Sequence, residues 1–194
     1  QTMFDPEKLA GKSVRINIDT SGSMQGCFIA NANDNPNKRK RRQSTPQVSV
    51  AEFVGIMGSA MYQAMPDKSS IWAVATSYKR VPVRTCDPFR LGEEVMATNV
   101  EHATYFEQMV TGLVNSLDGY STFRVPEAAY RGEDVYILLT DGMQADNLVR
   151  AWAQVKKPKG ARLIIWDIDS YGMRISNRPD VLCLRGYSNS MMDT

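Results

Sequence analysis

Asp19, Ser21 and Ser23, within Arg15-Ile-Asn-Ile-Asp-Thr-Ser-Gly-Ser-Met24, offer one carboxylate and two hydroxyls at alternate positions. Alternate positions of an extended turn point the same way, so three hard oxygen donors can converge on one small cation. Hard oxygens without imidazole or thiolate suit Mg²⁺ or Mn²⁺ better than zinc. Far downstream, Val135-Tyr-Ile-Leu-Leu-Thr-Asp-Gly142 again ends an apolar run in a carboxylate and a glycine. If both runs are parallel strands of one sheet, Asp19 and Asp141 share its carboxyl edge, where open α/β sheets place their ligands. A plainer reading has Asp and Ser only capping amide groups of a strand-to-helix turn. The second carboxylate segment tips the balance towards a metal-capable site.

These donors need elements to hold them. Val14, Ile16 and Ile18 alternate with Arg15 and Asn17, which predicts a half-exposed strand whose polar residues need partners on its second face. Residues 25–46 carry Asn-Ala-Asn-Asp-Asn-Pro-Asn and then Lys38, Arg39, Lys40, Arg41 and Arg42, with no core-forming pattern. They read as a basic loop inserted between the first strand and its helix. A helix is expected over roughly 48–65, with Val50, Phe53, Val54, Met57, Met61 and Met65 on one face. Gly55, Gly58, Ser59 and Ala60 would let it lie close to the sheet. Residues 71–76 read as a buried strand, and Val81-Pro-Val-Arg84 as its antiparallel edge partner, since Pro82 confines a strand to an edge.

After a loop around Cys86-Asp-Pro88, the spacing of Phe106, Met109, Val110, Leu113, Val114 and Leu117 predicts a helix over about 104–117. A short helix near Pro126 to Tyr130, a strand over 134–140, a helix over 147–155 and strands at 163–166 and 181–184 complete the pattern. A final helix is expected from Tyr187. Strands alternating with helices specify an α/β sheet.

The 194 residues are 43% hydrophobic, enough for one domain with a full core, spanning 1–194. The chain could equally be one part of a longer polypeptide. With 23 basic and 21 acidic residues, net charge does not announce nucleic-acid binding. Three widely spaced cysteines, Cys27, Cys86 and Cys183, form neither a disulfide framework nor a zinc pattern, which fits the cytoplasm. No long apolar run predicts a membrane span.

The order of strand, Asp-x-Ser-x-Ser, helix, antiparallel edge strand and a later strand ending Thr-Asp-Gly resembles the von Willebrand factor A (VWA) domain. Asp19-Thr-Ser21-Gly-Ser23 matches that family's metal-ion-dependent adhesion site (MIDAS), and Leu139-Thr-Asp141-Gly its second carboxylate segment. The family's Gly-Gly-Thr segment is replaced here by Gly119-Tyr-Ser121-Thr122, so either Ser121 or Thr122 could supply the remaining hydroxyl. Within the superfamily the chain is most similar to the C-terminal domain of the Ro autoantigen (TROVE) family, through the tail Leu184-Arg-Gly-Tyr-Ser-Asn-Ser-Met-Met-Asp193 and the hairpin over 74–83. The resemblance implies a Rossmann-like VWA fold, with a mostly parallel central sheet, one antiparallel edge strand and helices on both faces. It also implies Mg²⁺ or Mn²⁺ as cofactor. Full-length Ro-like members add a ring of RNA-binding helical repeats, which this chain lacks, and the 38–42 basic run has no counterpart in their pattern.

The expected function is a metal-dependent binding module, not an enzyme. Its open metal position would take an acidic group of a protein partner or a ribonucleoprotein. No general base accompanies the carboxylates at a suitable spacing. One alternative is a phosphoryl-transfer or hydrolytic enzyme on the same carboxylates. Another is a vestigial metal site whose basic loop, Lys38 to Arg42, binds RNA through its phosphates. Asp167-Ile-Asp169-Ser170 mimics a phosphatase nucleophile signature, but too little chain follows for that fold, so the pair reads as polar strand-end residues near the same crevice. His102, the only histidine, has no assignable nucleophile. Met57, Met61, Met65 and Met109 read as core, while Met143 could line the ligand surface.

Overall fold

The computed structural model describes residues 9, 11–26, 49–65, 68–98, 103, 105–115, 122–125, 129–142, 145–168 and 178–186. At its centre lies β1 (Val14–Asp19), in register with β2 (Ser69–Val74) on one side and β6 (Val135–Thr140) on the other, both parallel to it. Outside β2 runs the antiparallel edge strand β3 (Tyr78–Arg80). Beyond β6 lie β7 (Arg162–Asp167) and β8 (Val181–Arg185), both parallel. The order β3-β2-β1-β6-β7-β8 makes this a mostly parallel Rossmann-like α/β sheet with one antiparallel edge. The chain builds outward from β1 in one direction and then in the other, so the switch point lies between β1 and β6.

Period-two alternation sends each strand's residues to two cores. Ile16, Ile18, Ile71, Ala73, Ile137 and Leu139 meet α2 (Val50–Ala64) and α3 (Pro88–Ala97). Trp72, Val74, Tyr136, Leu138 and Ile165 pack with α4 (Glu107–Thr111) and α5 (Ala145–Gln154). Helix α2 begins at Ser49, whose hydroxyl accepts from Glu52 N–H while the Glu52 carboxylate accepts from Ser49 N–H, a reciprocal capping box. It lies against the sheet because Gly58 has no side chain: a Cβ there would overlap the Ile18 side chain and come within 3.1 Å of Leu139.

Four expectations change. First, β1 is buried on both faces, not half exposed, because Arg15 and Asn17 find partners inside the second core. Second, the edge strand is Tyr78–Arg80, not 81–84. The turn closes earlier, through Ala75 N–H to Ser77 O, and Val81 N–H donates to Ile71 O as pairing ends. Third, α3 replaces the anticipated loop. Asp87 caps it through Phe89 N–H at 2.9 Å, and Pro88 occupies a first-turn position that needs no N–H. Fourth, the helix expected to reach 117 stops at Thr111. Gly112 takes the left-handed conformation, φ 68°, and donates to Gln108 O. The chain then enters β4 (Leu113–Asn115), paired antiparallel with β5 (Thr122–Arg124) in a separate ribbon. The helix near Pro126 falls largely outside the described residues, as does the one from Tyr187.

Candidate metal centre

The carboxyl end of β1 is where the chain must turn. Thr20 N–H still donates to Val74 O at 2.9 Å, extending the β2 pairing by one residue. Ser21 N–H then donates to Asp19 Oδ1 at 2.9 Å, a local turn that starts the short helix α1 (Gly22–Gly26). The capping reading is thus realised in part. The same turn leaves the Ser21 and Ser23 hydroxyl oxygens 3.2 Å apart, close enough to serve one ion.

On the adjacent strand, β6 ends level with β1, Ile18 facing Leu139. Asp141 therefore follows at the same rim as Asp19, at the switch point. Thr140, which sequence reasoning passed over, links the two: its hydroxyl donates to Asp19 Oδ2 at 2.7 Å and accepts from Gly142 N–H at 3.2 Å. A hydroxyl directly before the second carboxylate was the available signal.

Asp19 is wholly buried, and burial pushes its carboxyl up to about 6. Hydrogen bonds from Ser21 and Thr140 oppose that rise, and the nearby charge of Asp141 adds to it. Among the described residues no lysine or arginine pairs with Asp19. Asp167 lies at the same edge, level with Thr140 on β7. Gly142, at φ 87°, leaves room for it: a Cβ there would sit 2.6 Å from the Asp167 carboxyl carbon. Among the described residues no group of three or more His, Cys, Asp and Glu side chains could hold a metal. The donor set therefore depends on serine hydroxyls beside Asp19 and Asp141. That composition suits a hard divalent ion that keeps several waters.

Thr122 begins β5 and only its backbone is described. Ser121, the run Lys38 to Arg42, His102, Met143 and Asp169 lie outside the described residues.

The sheet order and switch point are those of a VWA-like fold. The Ro (RSR) protein of Deinococcus radiodurans superposes on 93% of this chain with a TM-score of 0.53 at 12% sequence identity. This chain spans 32% of that protein's length. BatB, a conserved hypothetical protein from Bacteroides thetaiotaomicron, aligns over 94% of both chains with a TM-score of 0.47 at 15% identity. The likeness to the Ro protein carries the fold and nothing finer. No family model and no curated protein sequence matches the chain. No described helix is long and apolar enough to cross a membrane.

Proposed function

We propose that the rim between β1 and β6 is a MIDAS-like site that binds Mg²⁺ or Mn²⁺ and, through it, an acidic group of a protein partner. The observation that carries this reading is the wholly buried Asp19 carboxylate beside two serine hydroxyls 3.2 Å apart. Such a carboxylate is expensive to keep ionised without a cation. Ser21 and Ser23 would ligate the ion, Asp19 and Asp141 would hold it directly or through water, and Ser121 or Thr122 would complete the set. When bound, the ion supplies an electrophilic position open to a carboxylate oxygen. Thr140 orients Asp19, and Gly142 leaves room for the Asp167 carboxyl group beside the site. The domain is a binding module in this proposal, working in the cytoplasm, and its resemblance to Ro-like proteins makes a ribonucleoprotein subunit the natural setting for the partner.

The test pairs calorimetry with capture. Parent protein should bind Mn²⁺ saturably, Asp19→Ala should not, and chelator should release whatever protein the immobilised parent retains. Metal-dependent turnover in a phosphatase and nuclease screen would instead select the hydrolytic reading.

A further inference from the structure

At the opposite, amino-terminal edge of the sheet, a cavity of about 250 Å³ opens where β1 and β2 begin. Arg15, Lys68, Arg80 and Arg131 line it, and Glu133 is the one carboxylate among its described lining. Arg15 is 1% exposed, and its guanidinium lies 4.1 Å from the Trp72 ring centre and 5.2 Å from that of Tyr136. Its Nε donates to Asn17 Oδ1 at 3.0 Å and its Nη1 to Ala129 O at 3.2 Å. Glu133 stands 4.0 Å from Nη1, its other oxygen accepting from Arg131 N–H. Among the described residues Nη2 has no hydrogen-bond partner. A guanidinium cannot shed its proton, so the fold keeps a buried cation whose donors are only partly used.

The surplus of charge selects the ligand. Beyond the Arg15–Glu133 pair, Lys68, Arg80 and Arg131 line the cavity, with no second carboxylate among its described lining; Lys68 Nζ also donates to Gly11 O at 2.9 Å, with Asp134 near its charge. A singly charged planar anion would leave most of that charge uncompensated. A tetrahedral dianion offers oxygens to a guanidinium fork and to flanking ammonium and guanidinium groups together. Ser70, whose Oγ accepts from Trp72 Nε1 at 3.1 Å, keeps its own hydroxyl proton to donate. We propose that this cavity binds a phosphate group, as free phosphate or as the terminal phosphate of a small monoester, with Arg15 at its base and Lys68, Arg80 and Arg131 around it. Arg15 is four residues from Asp19 along β1, about 13 Å at strand rise, so this site stands independently of the metal site.

The experiment follows the indole N–H resonances of the three tryptophans by NMR. Inorganic phosphate is titrated in the presence of chelator, with chloride holding ionic strength constant. The Trp72 indole should move saturably, and Arg80→Ser combined with Arg131→Ser should raise the dissociation constant at least tenfold. Both of those positions are exposed, so that variant tests the site even if Arg15→Met fails to fold. Phenyl phosphate binding more tightly than inorganic phosphate assigns a phosphorylated small molecule; the reverse order assigns the free anion. The proposal is overturned if Trp72 does not respond, if chloride alone reproduces the shift, or if the double variant binds like the parent. It is equally overturned if an oligonucleotide lacking a terminal phosphate displaces phenyl phosphate as effectively as inorganic phosphate does.

Discussion

Replacing Asp19 with Asn should stabilise the metal-free protein at neutral pH. The folded state holds the Asp19 proton until about pH 6, against 3.8 for the ordinary carboxyl, chiefly because burial disfavours the anion. Folding therefore binds a proton between those values. The associated stability is fully present below about pH 4 and is lost as pH rises through 6. A displacement of roughly two units corresponds to about 3 kcal/mol. Asparagine keeps the shape and stays neutral, so it escapes that loss. In chelator at pH 7.5 the Asn variant should exceed the parent by about 3 kcal/mol, or roughly 6–12 °C in melting temperature for a domain of this size. At pH 4 the two should coincide. With Mg²⁺ at about a hundred times its dissociation constant the parent alone should gain about 2.7 kcal/mol, nearly closing the gap. Urea unfolding followed by the fluorescence of the buried tryptophans measures all three conditions. A parent more stable than the variant in chelator at pH 7.5, or a gap unchanged between pH 4 and 7.5, refutes the reasoning.

Further outcomes follow from the packing. Gly58→Val should lower stability by about 1–3 kcal/mol, because its side chain must displace Ile18; a urea midpoint equal to the parent's contradicts the close approach. Ser49→Ala removes the hydroxyl half of the capping box and should cost about 1 kcal/mol, read from the same midpoint. Tyr136→Phe deletes the bond from its hydroxyl to Met109 O at 3.0 Å and should cost about 1 kcal/mol. Asp134 is held below the usual carboxylate range by bonds from the Ser13 backbone and hydroxyl. Its contribution is present above the ordinary value and lost as pH falls through the folded one, so Ser13→Ala should flatten the stability profile below about pH 4.

The fold's skeleton was legible where one signal dominated. Val135 to Thr140 and Leu163 to Trp166 are short, largely apolar, β-branched-containing runs of the kind a doubly covered strand carries, and helix α2 shows both its period and its cap. Legibility failed where two signals competed. Leu113 and Val114 continue the helical spacing of Phe106, Met109 and Val110, yet Gly112 adopts a left-handed conformation and the following residues pair with 122–124. Asp87-Pro88 looked like a break, although an Asp cap followed by proline is also how a helix starts. Arg15 and Asn17 signalled exposure because their partners, Trp72, Tyr136 and Ile137 O, come from other strands. At the candidate site, Asp19 and Asp141 were visible because Asp19 closes an alternating strand pattern and Asp141 follows an apolar run. Thr140 was not, since its role exists only once β1 and β6 are adjacent.

The account turns on whether a divalent ion is held where β1 and β6 diverge. Crystals soaked in Mn²⁺ and measured above and below the manganese absorption edge would show this directly. The account predicts an anomalous peak in contact with Ser21 and Ser23, between Asp19 and Asp141, that is absent from Asp19→Ala crystals. Saturating Mn²⁺ that leaves this rim without a peak, or places it elsewhere on the domain, contradicts it.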